Sequence, residues 1–498
     1  MELKNKPGRV SAFDPGKAKI ATIFGGAIIV FGLLWAVFAL LGSLDFSSII
    51  FSFGKNLRVD EYGHTNILLA GIGGEGHDGA DLTDTIMVAS IDYDHKKVAM
   101  LSIPRDLYVK SKNITSGSRI NNIYAIGKSR QNSAAGMEDL KMVASEIVGI
   151  PIDYFIKVDF NGFKKIVDSL GGVDLVVEKD LYDPEYPLGE TTRYETFSLG
   201  AGPQHLNGET ALKYARSRKT TSDFDRAHRQ QQLLSAIREK ALRLSLLTDA
   251  GKIKDLYDAL HASIETDLAI NEIIELAKIG KEFGKESIVS RVLSDSFSEC
   301  GGFLYPPAKE NFGGASVLLP AGNSYDFIHD FTKFYLQNPV LALDQSPLQV
   351  LNGTKIPNLA GEVMNSLSRN CLNIVYYGNA KNRSLPLSTI YYQPGPKGEK
   401  PQLTGYLSKS LSLRTQAGIP PEYLNNEKKQ GTIFVIELGA DYLQKRIKDP
   451  FASLPYLLAP TPNPTLENRT GQPGSAATTP PDAKTPATTK TVPSKKTK

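Results

Sequence analysis

Arginine and lysine are concentrated in one short stretch, KYARSRKTTSDFDRAHRQQQ at residues 213–232, which contains six Lys/Arg and one histidine. As an extended segment, its first part places Arg216 and Arg218 on one face. As a helix, its second part places Arg226 and Gln230 on one face. Guanidinium groups bind phosphate oxygens in pairs and stay charged. The stretch predicts an anion site, and a solvated charged surface is the alternative.

Two further residues with suitable chemistry lie at predicted strand ends. Arg105, in SIPRDLY, follows a predicted strand at 95–103, where open α/β sheets bind ligands, and Asp106 is its expected structural partner. Asp84, in LTDTIM, begins a predicted strand at 85–91. A single Asp there is a turn residue unless other groups join it as metal ligands.

The sequence lacks three motifs that would indicate a different chemistry: a P-loop, a serine-hydrolase elbow and a zinc-binding cysteine pair. The glycine-rich loop GIGGEGHDGAD at 71–81 exposes backbone amides but lacks the GK[ST] ending of a P-loop. There is no G-x-S-x-G elbow of a serine hydrolase and no CxxC pair of a zinc site. The basic stretch and the two strand-end residues therefore remain the main candidates.

The distribution of charge argues against a nucleic-acid-binding protein. The net charge is +4, but residues 459–498 alone carry six Lys/Arg against two Asp/Glu. Residues 20–458 contain 46 basic and 49 acidic residues, so this central part is slightly acidic. Nucleic-acid binding requires a broad basic surface. A local basic cluster on an acidic body instead favours a small anionic ligand.

A membrane anchor is predicted near the N-terminus. The segment from Ile20 to Leu44 has 25 residues without a charge, and as a helix it would be about 37 Å long, enough to cross a bilayer core of about 30 Å. Five Lys/Arg precede it, which predicts a cytoplasmic N-terminus and an extracytoplasmic remainder. A cleaved signal peptide is the alternative, but the run is long and has no clear A-x-A site.

The remaining chain predicts two α/β domains. Strands are expected at 65–72, 85–91, 95–103, 153–160 and 173–178, and helices at 137–149, 161–172 and 226–247. We expect a basic N-terminus at 1–19, the transmembrane anchor at 20–44, a connector at 45–62, a larger domain at 63–335, a smaller α/β domain at 347–445 and a disordered tail rich in Pro, Thr and Lys at 459–498. Cys300 and Cys371 could pair, as in exported proteins, or remain two buried thiols.

Several spaced segments, taken in order, resemble the LytR–CpsA–Psr family of cell-wall glycopolymer ligases. They are TNILLAGI, LTDTIMVAS, LSIPRDLYV, RINNIYAIG, VDFNGFKKIVDSLGGVDL, LGAGPQHLNGETALKYARSR and DFDRAHRQQQ, and they cover roughly residues 65–245. The smaller domain, with VLNGT and FVIELGADY, looks like the C-terminal domain that often follows. The resemblance implies an α-β-α sandwich with a mixed central sheet.

The same resemblance implies a reaction and residue roles. A glycan linked to polyprenyl pyrophosphate would be moved, with one phosphate, to a peptidoglycan hydroxyl, and polyprenyl phosphate would be released. Arg105, Arg216 and Arg218 would contact the pyrophosphate, and Arg226 and Gln230 would complete that wall. Asp84 would bind Mg²⁺ or Mn²⁺ and act with Arg105 in catalysis. Asn121, in RINNIY, corresponds to a polar position near the site.

The first loop departs from the family pattern at two positions. Gly73 stands where an Asp is expected, and Leu82 replaces the Arg before TDT. The carboxylates available to replace the missing metal ligand are Glu75, Asp78 and Asp81, and His77 is available to contact phosphate. A solvated Gly-rich loop is the alternative.

Three other functions remain compatible with parts of the pattern. A polyprenyl-pyrophosphate phosphatase would use the same site with water as the acceptor. A non-catalytic surface protein would bind lipid-linked glycan or cell wall without turnover. A DNA-binding regulator is disfavoured by the outward topology and the acidic body.

Overall fold

The computed structural model describes residues 57–451, apart from 78, 112–113, 188–193, 218–225, most of 227–286, 396–399, 425–430 and 446–450. The predicted anchor at 20–44, the segment before it, most of the connector and the tail at 459–498 lie outside the described residues. None of the helices in the described ranges is both long enough and apolar enough to span a bilayer.

Residues 57–343, the N-terminal domain, contain fourteen of the strands that we number here. They are β1 (His64–Ile72), β2 (Thr83–Asp92), β3 (Lys97–Ser102), β4 (Tyr108–Ser111), β5 (Ile114–Arg119), β6 (Tyr154–Asp159), β7 (Val173–Val177), β8 (Leu181–Pro187), β9 (Tyr194–Leu199), β10 (Gly202–Leu206), β11 (Ile264–Thr266), β12 (Ile288–Val292), β13 (Leu304–Tyr305) and β14 (Leu319–Pro320). The helices with defined bounds are α1 (Ile123–Arg130), α2 (Ser133–Val148), α3 (Phe160–Ser169), α4 (Gly208–Arg216), α5 (Asp326–Tyr335) and α6 (Pro339–Ala342).

The central sheet of this domain is mixed, as predicted. Its strand order is β11-β6-β1-β2-β3-β12. The β1–β6 and β3–β12 pairs are parallel, whereas β1–β2, β2–β3 and β6–β11 are antiparallel. The C-terminal end of β1, the start of β2 and the end of β3 therefore meet at one edge of the sheet, where the predicted strand-end residues lie.

Alternating side chains of the strands are buried on both faces of the sheet. Leu68 and Val88 pack with residues of α1 and α2 on one face. Leu69 and Met87 pack with residues of α3 and α4 on the other. Because both faces are covered, the strands read as nearly continuous apolar runs. The α-β-α layering expected from the sequence is therefore present.

One predicted strand is a helix. The segment that carries Arg216 was expected to be extended, but Gly208–Arg216 forms α4. The Asn207 side chain caps this helix by accepting from the Thr210 amide at 2.9 Å, and Ala211 and Ala215 lie four positions apart on its buried face. The cap and the spacing outweigh the strand-like reading. Arg216 is therefore the last residue of a helix.

Several other element bounds differ from the predictions by a few residues. The helix expected at 137–149 begins at Ser133, where the Asn132 side chain accepts from the Ala135 amide at 2.9 Å. The strand expected at 173–178 is present as β7, but it pairs with β10 outside the central sheet. The described residues between 226 and 240 are helical, in agreement with the helix predicted there.

Residues 348–451, the C-terminal domain, form a second, smaller α/β layer. Its elements are β15 (Leu348–Asn352), α7 (Leu359–Arg369), β16 (Ile374–Asn379), β17 (Thr389–Tyr392), α8 (Pro401–Leu411), β18 (Arg414–Ala417), β19 (Phe434–Leu438) and α9 (Tyr442–Lys445). The strand order is β16-β15-β19-β17-β18, again with parallel and antiparallel pairs. A smaller α/β domain was predicted in this region.

The two domains are joined covalently as well as by packing. Cys300, after β12, and Cys371, after α7, form a disulfide across 71 positions of sequence. This resolves the alternative between a pair and two free thiols. One continuous hydrophobic core includes Phe331 and Phe334 of α5 and Leu403 and Leu407 of α8. The domains therefore share buried surface.

Candidate functional site

Asp84 and Arg105 meet at the edge of the central sheet. Arg105 Nη1 lies 2.5 Å from Asp84 Oδ1. The β1–β2 register shifts between Gly71 and Ile72, which pair with Thr85 and Thr83, so Asp84 is the extra residue of a bulge. Bulges re-aim side chains and occur beside active sites. The bulge explains how a residue inside a strand reaches the arginine that follows β3.

Arg105 also has an unused donor. Its Nε is buried and makes no hydrogen bond within the described part of the chain, because Asp106 Oδ2 is 3.7 Å away. Asp106 itself accepts from Arg119 Nη1 at 3.0 Å. A buried N–H without a partner costs roughly 1–3 kcal/mol. The side chain as a whole is 21% exposed and lines a cavity, so its guanidinium group can bind an anion in addition to Asp84.

Asn121 contacts the backbone of Arg105. It lies in the 3-10 turn Ile120–Asn122 and is 3% exposed. Its backbone amide donates to the Arg105 carbonyl at 3.2 Å. The residue therefore positions the Arg105 backbone, and direct contact between the Asn121 side chain and a ligand stays a prediction.

Arg216 contacts two aromatic side chains. Its guanidinium carbon lies 4.3 Å from the centre of the Phe160 ring and 5.6 Å from that of Tyr186. Its Nη1 donates to the Tyr186 hydroxyl at 3.2 Å. Burial raises the pKa of Tyr186, against the opposing effect of Arg216, so this hydroxyl stays protonated. The rings fix the arginine without neutralising it.

The basic stretch contains structural and site residues side by side. Arg229 is buried, donates from Nε to the Tyr214 carbonyl at 2.8 Å and from Nη2 to the Ser217 carbonyl, and so closes the end of α4. Lys213 pairs with Glu195 at 2.6 Å. Arg226 instead lines a cavity, as does Gln230. Arg218 lies outside the described residues.

Two cavities meet at the sheet edge. The polar cavity is lined by Asp84, Arg105, Asp106, Arg226 and Asp295, among others. The apolar cavity lies between the sheet and helices α3 and α4, and its lining includes Leu69, Met87, Ile156, Phe163, Leu212 and Ile237. Thr85 and Gln230 line both cavities, and Arg216 lines the apolar one. The polar cavity therefore adjoins the apolar one at Thr85 and Gln230, which we call the junction. Arg105 and Arg226 line the polar cavity, and Arg216 lines the apolar one.

The glycine-rich loop closes one side of this arrangement. The Gly74 amide donates to the Ala80 carbonyl at 2.9 Å. Gly74 has φ +79°, and a β-carbon on it would lie 2.7 Å from Asp159 Cβ, so only glycine fits. His77 packs edge-on against Phe160 with ring centres 5.1 Å apart. The loop is thus tied to the aromatic ring under Arg216.

Among the described residues, the acidic side chains of this loop form no metal cluster. Asp81 accepts from Lys128 Nζ at 2.6 Å, Glu75 is exposed, and Asp78 lies outside the described residues. Within the described ranges, no three His, Cys, Asp or Glu residues are grouped to hold a metal ion. A metal at Asp84 stays a prediction, and it would depend on ligands from a substrate.

Sequence reasoning did not single out Phe160, Tyr186 or Asp295. The first two hold Arg216, and the third lines the polar cavity. Phe160 lies inside the segment VDFNGF, so position next to a motif was the available signal. Tyr186 and Asp295 are distant in sequence from the arginines, and no local pattern marks them.

Two protein-family models match this chain. The model of the LytR_cpsA_psr family matches residues 48–310, which is more than half of the chain. The chain belongs to the LytR–CpsA–Psr family. A second model, described as LytR cell envelope-related transcriptional attenuator, matches residues 345–442.

The chain is similar in sequence to two named teichoic acid transferases. The chain is 34% identical over 227 residues to the polyisoprenyl-teichoic acid–peptidoglycan teichoic acid transferase TagV of Bacillus subtilis, covering 45% of this chain and 53% of TagV. It is 27% identical over 256 residues to TagU of Bacillus licheniformis, covering 51% of this chain and 76% of TagU. The chain thus spans about half the length of TagV.

Solved structures of family members are also similar to this chain. The crystal structure of B. subtilis TagV is 26% identical, with a TM-score of 0.42, and the match covers 55% of this chain and 97% of that one.

Proposed function

We propose that this LytR–CpsA–Psr protein is a membrane-anchored extracytoplasmic phosphotransferase that moves a glycopolymer from a polyprenyl-pyrophosphate carrier to peptidoglycan. The observation that carries the proposal is the junction of the two cavities at Thr85 and Gln230. A lipid pyrophosphate has one apolar arm and one doubly charged centre, and this junction offers a compartment for each. The names of TagV and TagU, which are teichoic acid transferases, support the same reaction class.

The cations beside the junction account for the chemistry. When an acceptor hydroxyl attacks the phosphorus nearer the glycan, a P–O bond forms, the P–O–P bridge breaks and polyprenyl phosphate leaves. Negative charge develops on the leaving phosphate, and fixed cations in a water-poor site stabilise it. Arg105 and Arg216 are positioned for this by Asp84 and by two aromatic rings. The hydroxyl proton passes to Asp84 or to a substrate phosphate.

The carboxylate of Asp84 fits Mg²⁺ or Mn²⁺ if phosphate oxygens of the substrate supply the other ligands. Mg²⁺ is often held by one or two carboxylates together with substrate phosphates, so one described carboxylate beside a phosphate site is sufficient. Such an ion would neutralise phosphate charge during the transfer. Within the described ranges Arg105 already engages one oxygen of Asp84, so the two cations would share this carboxylate.

Two features support an extracytoplasmic position for the part of the chain that follows the predicted anchor: the apolar segment itself and the disulfide. The segment at 20–44 with basic residues before it favours a single anchor and an external C-terminal part. Disulfides persist in oxidising compartments, and Cys300–Cys371 agrees with that placement. A reporter fused after residue 498 should be active outside the cytoplasm, and a cytoplasmic signal would refute the topology.

The transfer assay separates this function from its alternatives. The full chain in detergent is incubated with a defined lipid-pyrophosphate glycan, Mg²⁺ and peptidoglycan fragments. Covalent attachment of glycan to the fragments supports the proposal. Release of phosphate without attachment supports a phosphatase, and tight donor binding without either product supports a non-catalytic binder. The Arg216→Ala and Arg218→Ala double variant should lose donor binding.

A further inference from the structure

A third cavity lies between the two domains, and none of the residues that line it lines the polar or the apolar cavity of the candidate site. This interdomain cleft has a volume of about 840 Å³. Its walls come from α5 of the N-terminal domain and from α7 and α8 of the C-terminal domain. At its base the rings of Phe334 and Tyr406 pack with centres 4.5 Å apart. The cleft exists only because both domains are present.

The cleft continues into a neighbouring cavity of about 200 Å³. Asn338, Leu341 and Gln402 line both cavities, so together they form one elongated groove. The far end of this groove reaches His64 and Asp92, at the sheet end opposite Asp84. An elongated groove suits a chain-like ligand better than a compact one.

The walls of the cleft are held in place. The Cys300–Cys371 disulfide crosses from one domain to the other. The Gly301 amide donates to the Arg369 carbonyl at 2.9 Å, and Arg369 Nη1 donates to the Phe297 carbonyl at 2.9 Å. Because covalent and hydrogen-bonded links cross the domain boundary, the cleft is preformed, and binding would require little ordering.

One segment, residues 294–303, connects the cleft with the polar cavity of the candidate site. Ser294 and Asp295 line the polar cavity, and Phe303 lines the cleft. The Ser294 amide donates to the Gly301 carbonyl at 2.8 Å, and the Leu304 amide donates to the Ser294 carbonyl at 2.9 Å. This short segment therefore contributes residues to both the polar cavity and the cleft.

The cleft combines aromatic rings and amides with a net positive charge, because Lys333, Arg369 and Lys409 line it against one carboxylate, Asp330. Phe327 and Tyr406 offer partly exposed apolar ring surface for sugar faces and N-acetyl methyl groups. Asn370 and Gln402 offer amide donors and acceptors for hydroxyl and acetamido groups. Lys333 on one wall and Lys409 on the other are exposed ammonium groups, which attract carboxylates.

We propose that the interdomain cleft binds the acceptor, a carboxylate-bearing peptidoglycan strand, and so presents a hydroxyl to the donor held at the junction. The inference rests on the proposed transferase function, because only a transferase needs a second glycan next to the donor. Lys333 and Lys409 hold acidic groups of the strand, and the aromatic rings hold its sugars.

Binding of soluble, uncrosslinked peptidoglycan strands to the full chain in detergent tests the proposal without requiring turnover. Lys333→Glu combined with Lys409→Glu should weaken binding about tenfold or more, since both charges are reversed. Lys381 is an exposed lysine of the C-terminal domain that lines neither cavity of the groove. The control variant Lys381→Glu should therefore bind strands as the native chain does. The milder Lys333→Gln with Lys409→Gln should give an intermediate loss if the double reversal fails to fold.

Transfer kinetics separate failure of the cleft from failure of the proposed function. If both hold, the double variant raises the KM for acceptor and leaves the KM for donor unchanged. Strand binding that depends on the two lysines, in a chain that never transfers glycan, upholds the cleft and refutes the function. Transfer with native acceptor affinity in both double variants refutes the cleft and leaves the function standing. Displacement of the strands by free donor glycopolymer would assign the cleft to the donor and overturn the proposal.

Discussion

Arg105 Nη1 lies 2.5 Å from Asp84 Oδ1, so a strand bulge and a strand end are joined by one ion pair. Because the Arg105 side chain is 21% exposed and lines the polar cavity, its guanidinium group can reach a phosphate oxygen while the pair stays intact. The ion pair with Asp84 therefore positions Arg105, and the guanidinium group of Arg105 is also available to bind the ligand.

Removal of this arginine should affect the reaction far more than the fold. Arg105→Ala should lower kcat/KM for glycan transfer about 10²- to 10³-fold, as loss of one preorganised donor to developing charge does. Arg105→Lys should recover part of the activity but not the paired geometry. Steady-state transfer assays measure both, and native-like rates for Arg105→Ala would remove Arg105 from the site.

The aromatic support of Arg216 should be visible in donor affinity. Phe160→Leu should raise the KM for donor about two- to fivefold, because it removes a cation–π contact of about 0.5–1 kcal/mol. Tyr186→Phe tests the hydroxyl that accepts from Arg216. Tyr182→Phe is the matched control on the same strand, with a side chain that is exposed. Equal donor KM in all three variants would argue against the support.

Two arginines three positions apart should respond oppositely to the same substitution. Arg229→Met should lower the free energy of unfolding by about 2 kcal/mol, since it leaves carbonyls at the end of α4 unpaired. Arg226→Met should lower stability less than Arg229→Met does and should reduce transfer, because Arg226 lines the polar cavity. Urea unfolding and transfer assays on both variants check the contrast. The reverse pattern would exchange their roles.

The interdomain disulfide should contribute substantially to stability. Cys300→Ser with Cys371→Ser should lower the free energy of unfolding by about 2–4 kcal/mol, because the bridge closes a long loop in the unfolded chain. Reduction of the native chain should give the same loss. Unchanged urea midpoints on reduction would mean that the bridge contributes little.

A partly buried ion pair on β6 should make stability depend on acid pH. Lys157 Nζ contacts Glu265 and donates to Ser133 at 2.6 Å. Burial raises the pKa of Glu265, but the hydrogen bonds from Lys157 and Ser133 lower it by more, so the folded-state pKa lies below its usual 4.5. This stabilisation is present above pH 4.5 and is lost as the pH falls through the folded-state pKa. Melting temperatures of Glu265→Gln should therefore fall less on acidification than those of the native chain.

Local patterns predicted the sheet and much of the candidate site. The apolar runs at 65–72 and 85–91 identified β1 and β2, and the position after β3 identified Arg105. The reading of the Arg216 segment as a strand was wrong, because the Asn207 cap and helical spacing decide that segment. The bulge at Asp84 and the ring of Tyr186 depend on tertiary pairing, which no local window contains.

The fate of the two phosphorus atoms of the donor distinguishes glycopolymer transfer from hydrolysis. A lipid-pyrophosphate glycan is prepared with isotopic phosphorus either next to the glycan or next to the lipid, and the full chain is incubated with it and with peptidoglycan. We predict that the glycan-side label becomes bound to peptidoglycan and that the lipid-side label is recovered in polyprenyl phosphate. Appearance of the glycan-side label only in soluble phosphate or phosphoglycan, with none on peptidoglycan, would contradict the proposed transfer.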